Sequence, residues 1–175
     1  MAMTVAIDNA TGATPTWAAV GASTAKFNRV DTLTGTTAIP TPTATGTNFS
    51  YIKTFAIDIT ATGSLSMTNV KIEKVTSEAT TGTKLWHYTG HASYTQATAA
   101  PTATGDNNST APTFNGASAT AMPALGAGST YAAGAFSTTG RQGNMVEVGL
   151  GVDATNVTAG SAVSVPSLRF TWTEC

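Results

Sequence analysis

The stretch Val146-Glu147-Val148-Gly149-Leu150-Gly151-Val152-Asp153 decides the fold: every even position is aliphatic and every odd one is small or acidic. A period of two marks a β-strand with one buried face, so the even side chains are predicted to point inward. Asn156 to Gly160 then supplies turn chemistry, and Ala162-Val163-Ser164-Val165 alternates again. After Pro166, Leu168, Phe170 and Trp172 alternate with Arg169, Thr171 and Thr173, which predicts a last strand with Trp172 in the core. Pro166 cannot donate to a ladder and marks an edge or a bulge.

A second pair lies in the middle of the chain. Phe55, Ile57 and Ile59 alternate with Ala56, Asp58 and Thr60, and Ala61-Thr62-Gly63-Ser64 reads as a turn. Leu65 and Met67 fall on odd positions while Val70 and Ile72 fall on even ones, so a bulge is predicted near Thr68-Asn69. The expected unit is an antiparallel hairpin. Its charges, with those of the C-terminal strand (Asp58, Glu73, Glu147 and Asp153), are expected to face solvent. Further strands are expected at Lys84–Tyr88, Ala92–Thr98, Lys26–Val30 and Thr16–Val20.

Asp31 to Asn48 and Ala99 to Gly143 have no period. In the second, Phe114, Met122, Leu125, Tyr131 and Phe136 are isolated apolar anchors. Short strands, no helix pattern and no alternation of strands with helices point to an all-β, antiparallel β-sandwich. It is expected to be jelly-roll-like, because the strand pairs lie far apart and need long crossing connections. Residues 1–175 are read as a single domain, with 1–15 as an N-terminal arm and 99–143 as a long contact loop.

Composition narrows the function. Thr, Ala, Gly and Ser supply 36, 30, 17 and 13 of the 175 residues, whereas Leu, Ile, Val and Phe together supply 29. Charged residues are 10% of the chain, against about 25% in a typical globular protein. A net charge of −1 leaves no electrostatic footprint for nucleic acid or an anionic membrane, so neither is expected as a partner. There is no apolar run of about 18 residues for a membrane helix. The opening MAMTVAIDNATG has neither the basic nor the apolar region of a secretory signal. Cys175 is the single cysteine, which excludes an intramolecular disulfide.

Candidate chemistry is sparse. His87 and His91 stand four apart, but Trp86, Tyr88 and Tyr94 around Thr89-Gly90 predict strand and turn, and no third metal ligand is near. Both histidines are expected to be half-exposed. Serines, histidines and aspartates are present without a Gly-x-Ser-x-Gly elbow, and the nine acids are scattered singly. No catalytic, cofactor-binding or metal-binding residue is nominated, and no enzyme activity is expected. Trp17, Trp86 and Trp172 raise the alternative of a sugar-stacking platform, with Trp86 beside Tyr88 as its best exposed candidate. The run Thr41-Pro42-Thr43-Ala44-Thr45-Gly46-Thr47 resembles a threonine array, but Pro40 and Pro42 break the ladder that a flat ice-binding face needs.

The segment Asn48-Phe49-Ser50-Tyr51-Ile52-Lys53-Thr54-Phe55-Ala56-Ile57-Asp58-Ile59-Thr60-Ala61-Thr62-Gly63-Ser64-Leu65-Ser66-Met67-Thr68-Asn69-Val70-Lys71-Ile72 resembles small β-sandwich virion proteins of tailed bacteriophages, of the capsid decoration (cement) type. Gly90-His91-Ala92-Ser93-Tyr94, the Val146–Val152 strand, the Ala159-Gly160 turn and the Leu168–Trp172 strand extend the likeness. The resemblance implies a non-enzymatic virion protein, made in the host cytoplasm, that bridges capsid subunits. Its partners would be the major capsid protein or other virion subunits, and copies of itself in a homo-oligomer. A tail, neck or fibre-base component and an extracellular carbohydrate-binding module are the alternatives. Few large apolar side chains set against many ordered small ones also favour burial against neighbouring subunits.

Overall fold

The computed structural model describes residues 2–20, 27–32, 39, 46–78, 82–101, 111–132, 134–153, 157 and 166–175. Its strands are β1 (Thr4–Thr11), β2 (Thr16–Ala19), β3 (Thr47–Phe49), β4 (Lys53–Ala61), β5 (Met67–Lys74), β6 (Thr83–His91), β7 (Thr113–Phe114), β8 (Ala117–Ser118), β9 (Thr120–Ala121), β10 (Ser129–Ala132), β11 (Gly140–Asp153) and β12 (Leu168–Glu174). A seven-stranded sheet runs β2-β1-β4-β11-β6-β9, with β3 also on β11. A three-stranded sheet runs β10-β5-β12, and β7-β8 is a separate hairpin. All pairings are antiparallel. The chain is all-β, as its composition and periodicity predict.

The main core lies between the two larger sheets. Val146, Val148, Leu150 and Val152 of β11 join Phe55, Ile57 and Ile59 of β4, Met67, Val70 and Ile72 of β5, and Tyr131 of β10. The even face of β11 therefore points inward, as predicted. β11 is central because its 14 residues pair with β4, β6 and, at its far end, β3. β4 pairs with β11 and β5 with β12, so each of the two larger sheets joins strands from distant parts of the chain. The two sheets divide the strands unequally.

Two irregularities keep the buried face continuous. Asn69 adopts φ 52°, and the β5–β12 register shifts opposite it, so Met67 and Val70 are both fully buried despite their opposite parity. This is the bulge predicted at Thr68-Asn69. Between β3 and β4, the Ser50 hydroxyl accepts the Leu150 N–H at 3.0 Å, while the Ser50 N–H donates to the Leu150 carbonyl at 2.8 Å. One side chain thus replaces a missing backbone acceptor.

Several expectations need correction. β4 and β5 are not a hairpin: β4 pairs with β1 and β11, whereas β5 pairs with β10 and β12, so residues 62–66 cross from one sheet to the other. Much of the expected N-terminal arm, Thr4–Thr11, is β1, paired along its length with β4. Ala92–Thr98 forms no strand, nor do residues 27–30; Lys26 lies outside the described residues. Thr16–Ala19 and Thr83–His91 do form strands. Most of the threonine run, residues 41–45, lies outside the described residues.

Candidate contact surface

The odd residues of β11 from Glu147 to Asp153 face away from the main core, yet they are not in solvent. Asn115 and Gly116 have φ 45° and 91°, and they join β7 to β8 in a two-residue hairpin. Positive φ at both central residues is the geometry that Asn-Gly favours, because its twist matches the flanking strands. The hairpin drives Phe114 onto the sheet, where it forms a second apolar cluster with Phe49, Ile52, Trp86, Ala97 and Ala119. Phe114 fits because position 149 has no side chain: a β-carbon there would stand 2.9 Å from Phe114 Cζ.

Glu147 lies under the same hairpin and is 1% exposed. Its Oε1 accepts a hydrogen bond from Asn115 Nδ2 at 2.5 Å, and Asn115 Nδ2 also donates to the Thr95 carbonyl at 3.1 Å. Its Oε2 stands 3.2 Å from His91 Nδ1 without hydrogen-bond alignment. The His91 ring leans on Tyr88, 4.7 Å between centroids. Burial pushes the Glu147 carboxyl above its ordinary value, against the opposing effects of Asn115 and His91.

Glu73 anchors another segment. Its Oε2 accepts the N–H groups of Gly126 at 2.7 Å and Gly128 at 3.3 Å, and its Oε1 accepts Arg169 Nε at 2.6 Å. Burial alone would raise this carboxyl; the bonds from Arg169, Gly126 and Gly128 outweigh it and hold the pKa below 4.5. The Lys74 N–H also donates to the Pro123 carbonyl at 2.9 Å. Residues 123–128 are thereby pinned beside the three-stranded sheet, with Leu125 at the tip, 54% exposed.

A buried cation holds a third segment. Lys53 is 1% exposed, and its Nζ donates to Asn28 Oδ1 at 3.2 Å, to the Val30 carbonyl at 3.0 Å and to the Thr32 carbonyl. Asp31 on the same loop accepts the Gly12 N–H at 3.0 Å and Gln96 Nε2 at 2.8 Å. Nearby, Arg141 pairs with buried Asp8 at 2.7 Å and lies 4.6 Å from the Trp17 ring centroid.

Glu73, Glu147 and Asp153 are therefore buried, not the solvated strand charges expected; Asp58 is half-buried. In β-strand alternation an outward position means only the other face of the sheet, and here loops cover that face. His87 is 3% exposed and pairs across from core residue Val148, whereas His91 reaches Glu147 on the opposite face. The two imidazoles do not converge, and His87 is not half-exposed. Trp86 is 4% exposed beneath Phe114, so the best candidate for sugar stacking is core. Trp17 and Tyr94 meet edge to face at 69°, which is no flat platform. Trp172, expected in the core, is 36% exposed near exposed Cys175. Of the five anchors in residues 99–143, Phe114, Met122 and Tyr131 are core and Phe136 packs against it; Leu125 alone is presented to solvent. The Asn115-Gly116 dipeptide was the signal in the sequence for this covering hairpin. No family model, no curated protein and no solved structure matches the chain.

Proposed function

We propose that the chain is a structural component of a bacteriophage virion, a capsid decoration protein that bridges capsid subunits. The reading starts from the sequence resemblance and from the low-charge composition. The observation that supports it most is the stapling of neutral loops by buried charges. Glu73 and Glu147 each fasten an uncharged segment of mostly small residues, around Gly126 and around Asn115, onto the sheets, so these two carboxylates point inward. While Lys71, Arg141, Arg169 and Glu174 remain exposed on the strands, these two segments present small, uncharged residues with Leu125 at a turn tip. Such a surface can close against another subunit without stranding buried charge, and its loops need little further ordering on binding.

Mechanically, each docked copy adds buried area across a junction between capsid subunits and so opposes head rupture. The test is to add the purified chain to empty heads of the source phage and measure the temperature at which they burst. A saturable rise supports the reading. No binding to heads, with binding to tails, moves the chain to the neck, tail or fibre base; binding to a glycan array in place of either supports a carbohydrate module.

A further inference from the structure

The three-stranded sheet ends on β12, and the hydrogen bonds of that strand define its free side. At its start the Val75 N–H donates to the Ser167 carbonyl at 2.8 Å. At its end Cys175 and Ser66 exchange N–H···O bonds of 2.9 and 3.0 Å. Between these points Arg169, Thr171 and Thr173 lie opposite Glu73, Lys71 and Thr68. In an antiparallel ladder alternate residues turn their backbone groups to the same neighbour, so the odd residues of β12 face β5. The Asn69 bulge lies in β5 and leaves this phase intact. The N–H and carbonyl groups of Leu168, Phe170, Trp172 and Glu174 therefore point outward, and no described residue pairs with them.

We propose that this edge is an interface between two copies of the chain, in which the β12 strands pair antiparallel about a twofold axis at Thr171. Such an axis stands perpendicular to the sheet and keeps each face on its own side. Phe170 then lies opposite the partner's Trp172, and Leu168 opposite the partner's Glu174. All eight outward backbone groups of each strand find partners in this register. Moving the axis to Phe170 or Trp172 leaves Glu174 or Leu168 without one. Side chains fit as well. Phe170 meets Tyr131 edge to face in the core, 5.9 Å between centroids, whereas Trp172 on the same face is 36% exposed. Pairing lays the half-buried Leu168 and Phe170 and the exposed Trp172 against the same row of the second copy, with the cross-strand aromatic contact made twice.

Self-complementarity commits the edge to a second copy. Leu168–Glu174 has neither the proline nor the bulge that commonly keeps sheet edges apart. Its charges do not oppose the pairing. Arg169 is drawn to Glu73 on the outer face, and the register offsets the two Arg169 side chains by four positions, on the order of 13 Å along the strand. The two Glu174 side chains are offset by six positions, on the order of 20 Å. The two Cys175 residues are offset by eight, on the order of 26 Å, so no disulfide spans the axis. The smaller sheet becomes six-stranded across the pair. This interface goes beyond the virion reading and does not rest on it.

Analytical ultracentrifugation of the full-length chain in reducing buffer tests this, and a reversible monomer–dimer equilibrium is expected. Trp172→Pro removes a donor that points away from β5, so the sheet signal in circular dichroism should persist while the dimer weakens by about tenfold or more. Thr171 meets its own copy across the axis on the outer face, so Thr171→Lys and Thr171→Glu should each weaken the dimer. An equimolar mixture of those two variants should pair about fivefold more tightly than either alone. If Trp172→Pro loses the sheet signal, the Thr171 variants decide. A wild type that stays monomeric up to its solubility limit overturns the proposal. If Trp172→Pro then also fails to bind heads that the wild type binds, the edge belongs to a strand of another virion protein. A dimer that forms only without reductant is a Cys175 disulfide and overturns it too. A dimer unmoved by Trp172→Pro overturns the β12 edge, and a mixture no tighter than its components overturns the Thr171 register.

Discussion

The ring of Phe114 rests on the backbone of Gly149, so closely that a β-carbon at 149 would meet Cζ at 2.9 Å. A residue from the longest unpatterned segment is thereby locked to the centre of the longest strand. Gly149→Ala should overpack this contact and lower stability by about 1–3 kcal/mol. Phe114→Ala should cost about 3–5 kcal/mol, because Phe114 is fully buried. Urea unfolding measures both, and hydrogen exchange should show residues 113–118 opening first in Gly149→Ala.

Glu147 gives a pH signature. Its pKa is raised in the folded state by burial, so the folded chain holds this proton more tightly than the unfolded chain. Its contribution therefore improves as pH falls through the folded pKa and is complete below the unfolded value. Glu147→Gln keeps an acceptor for Asn115 and removes the charge. The variant should exceed the wild type in Tm at neutral pH, and the gap should close on acidification. A gap independent of pH would show that the carboxylate is not the cause.

Glu73 behaves oppositely. Its folded pKa is depressed below 4.5, so the stabilisation is present above 4.5 and is lost as pH falls through the folded value. Acidification should release Gly126 and Gly128, and with them the Leu125 turn. Limited pepsin digestion should cut near Leu125 increasingly as pH drops, whereas Glu73→Ala should be cut there across the range. Equal cutting of both chains at every pH would remove Glu73 as the anchor.

Ser50 is a smaller test of the same logic. Its hydroxyl is the acceptor for the buried Leu150 N–H. Ser50→Ala leaves that donor unpaired and should lower stability by about 1–3 kcal/mol in urea unfolding.

These sites show what the sequence makes legible. The aliphatic alternation of Val146 to Val152 and of Phe55 to Ile59 identifies strands and their inner faces, because burial between sheets requires a period of two. The change of parity between Met67 and Val70 is enough to locate the Asn69 bulge. The partner of each strand is not encoded so locally. Residues 61–64 form a turn whether the chain returns along the same sheet or crosses to the other, so β4 and β5 read as a hairpin. Glu147 reads as solvated because the residues that cover it, Phe114 and Asn115, lie more than thirty positions away. Its burial depends on Asn115-Gly116 turning the chain back, and that dipeptide is the one local clue. The Lys53 site has no spacing signature, since it joins a strand to a loop with no periodicity.

The segment from Pro101 to Gly140 cannot be deleted to test its role in binding, since it supplies Phe114, Met122 and Tyr131 to the cores. Leu125 can be changed alone, because its side chain is outside. The decisive measurement is a binding titration of full-length wild type and Leu125→Glu on empty heads of the source phage, with both chains shown to melt alike. Virion assembly through the stapled surface predicts saturable binding by the wild type and at least a tenfold weaker affinity for Leu125→Glu, the loss expected for about 1.4 kcal/mol or more. Failure of the wild type to bind any part of the particle would contradict the virion reading, and equal binding by both chains would contradict the assigned surface.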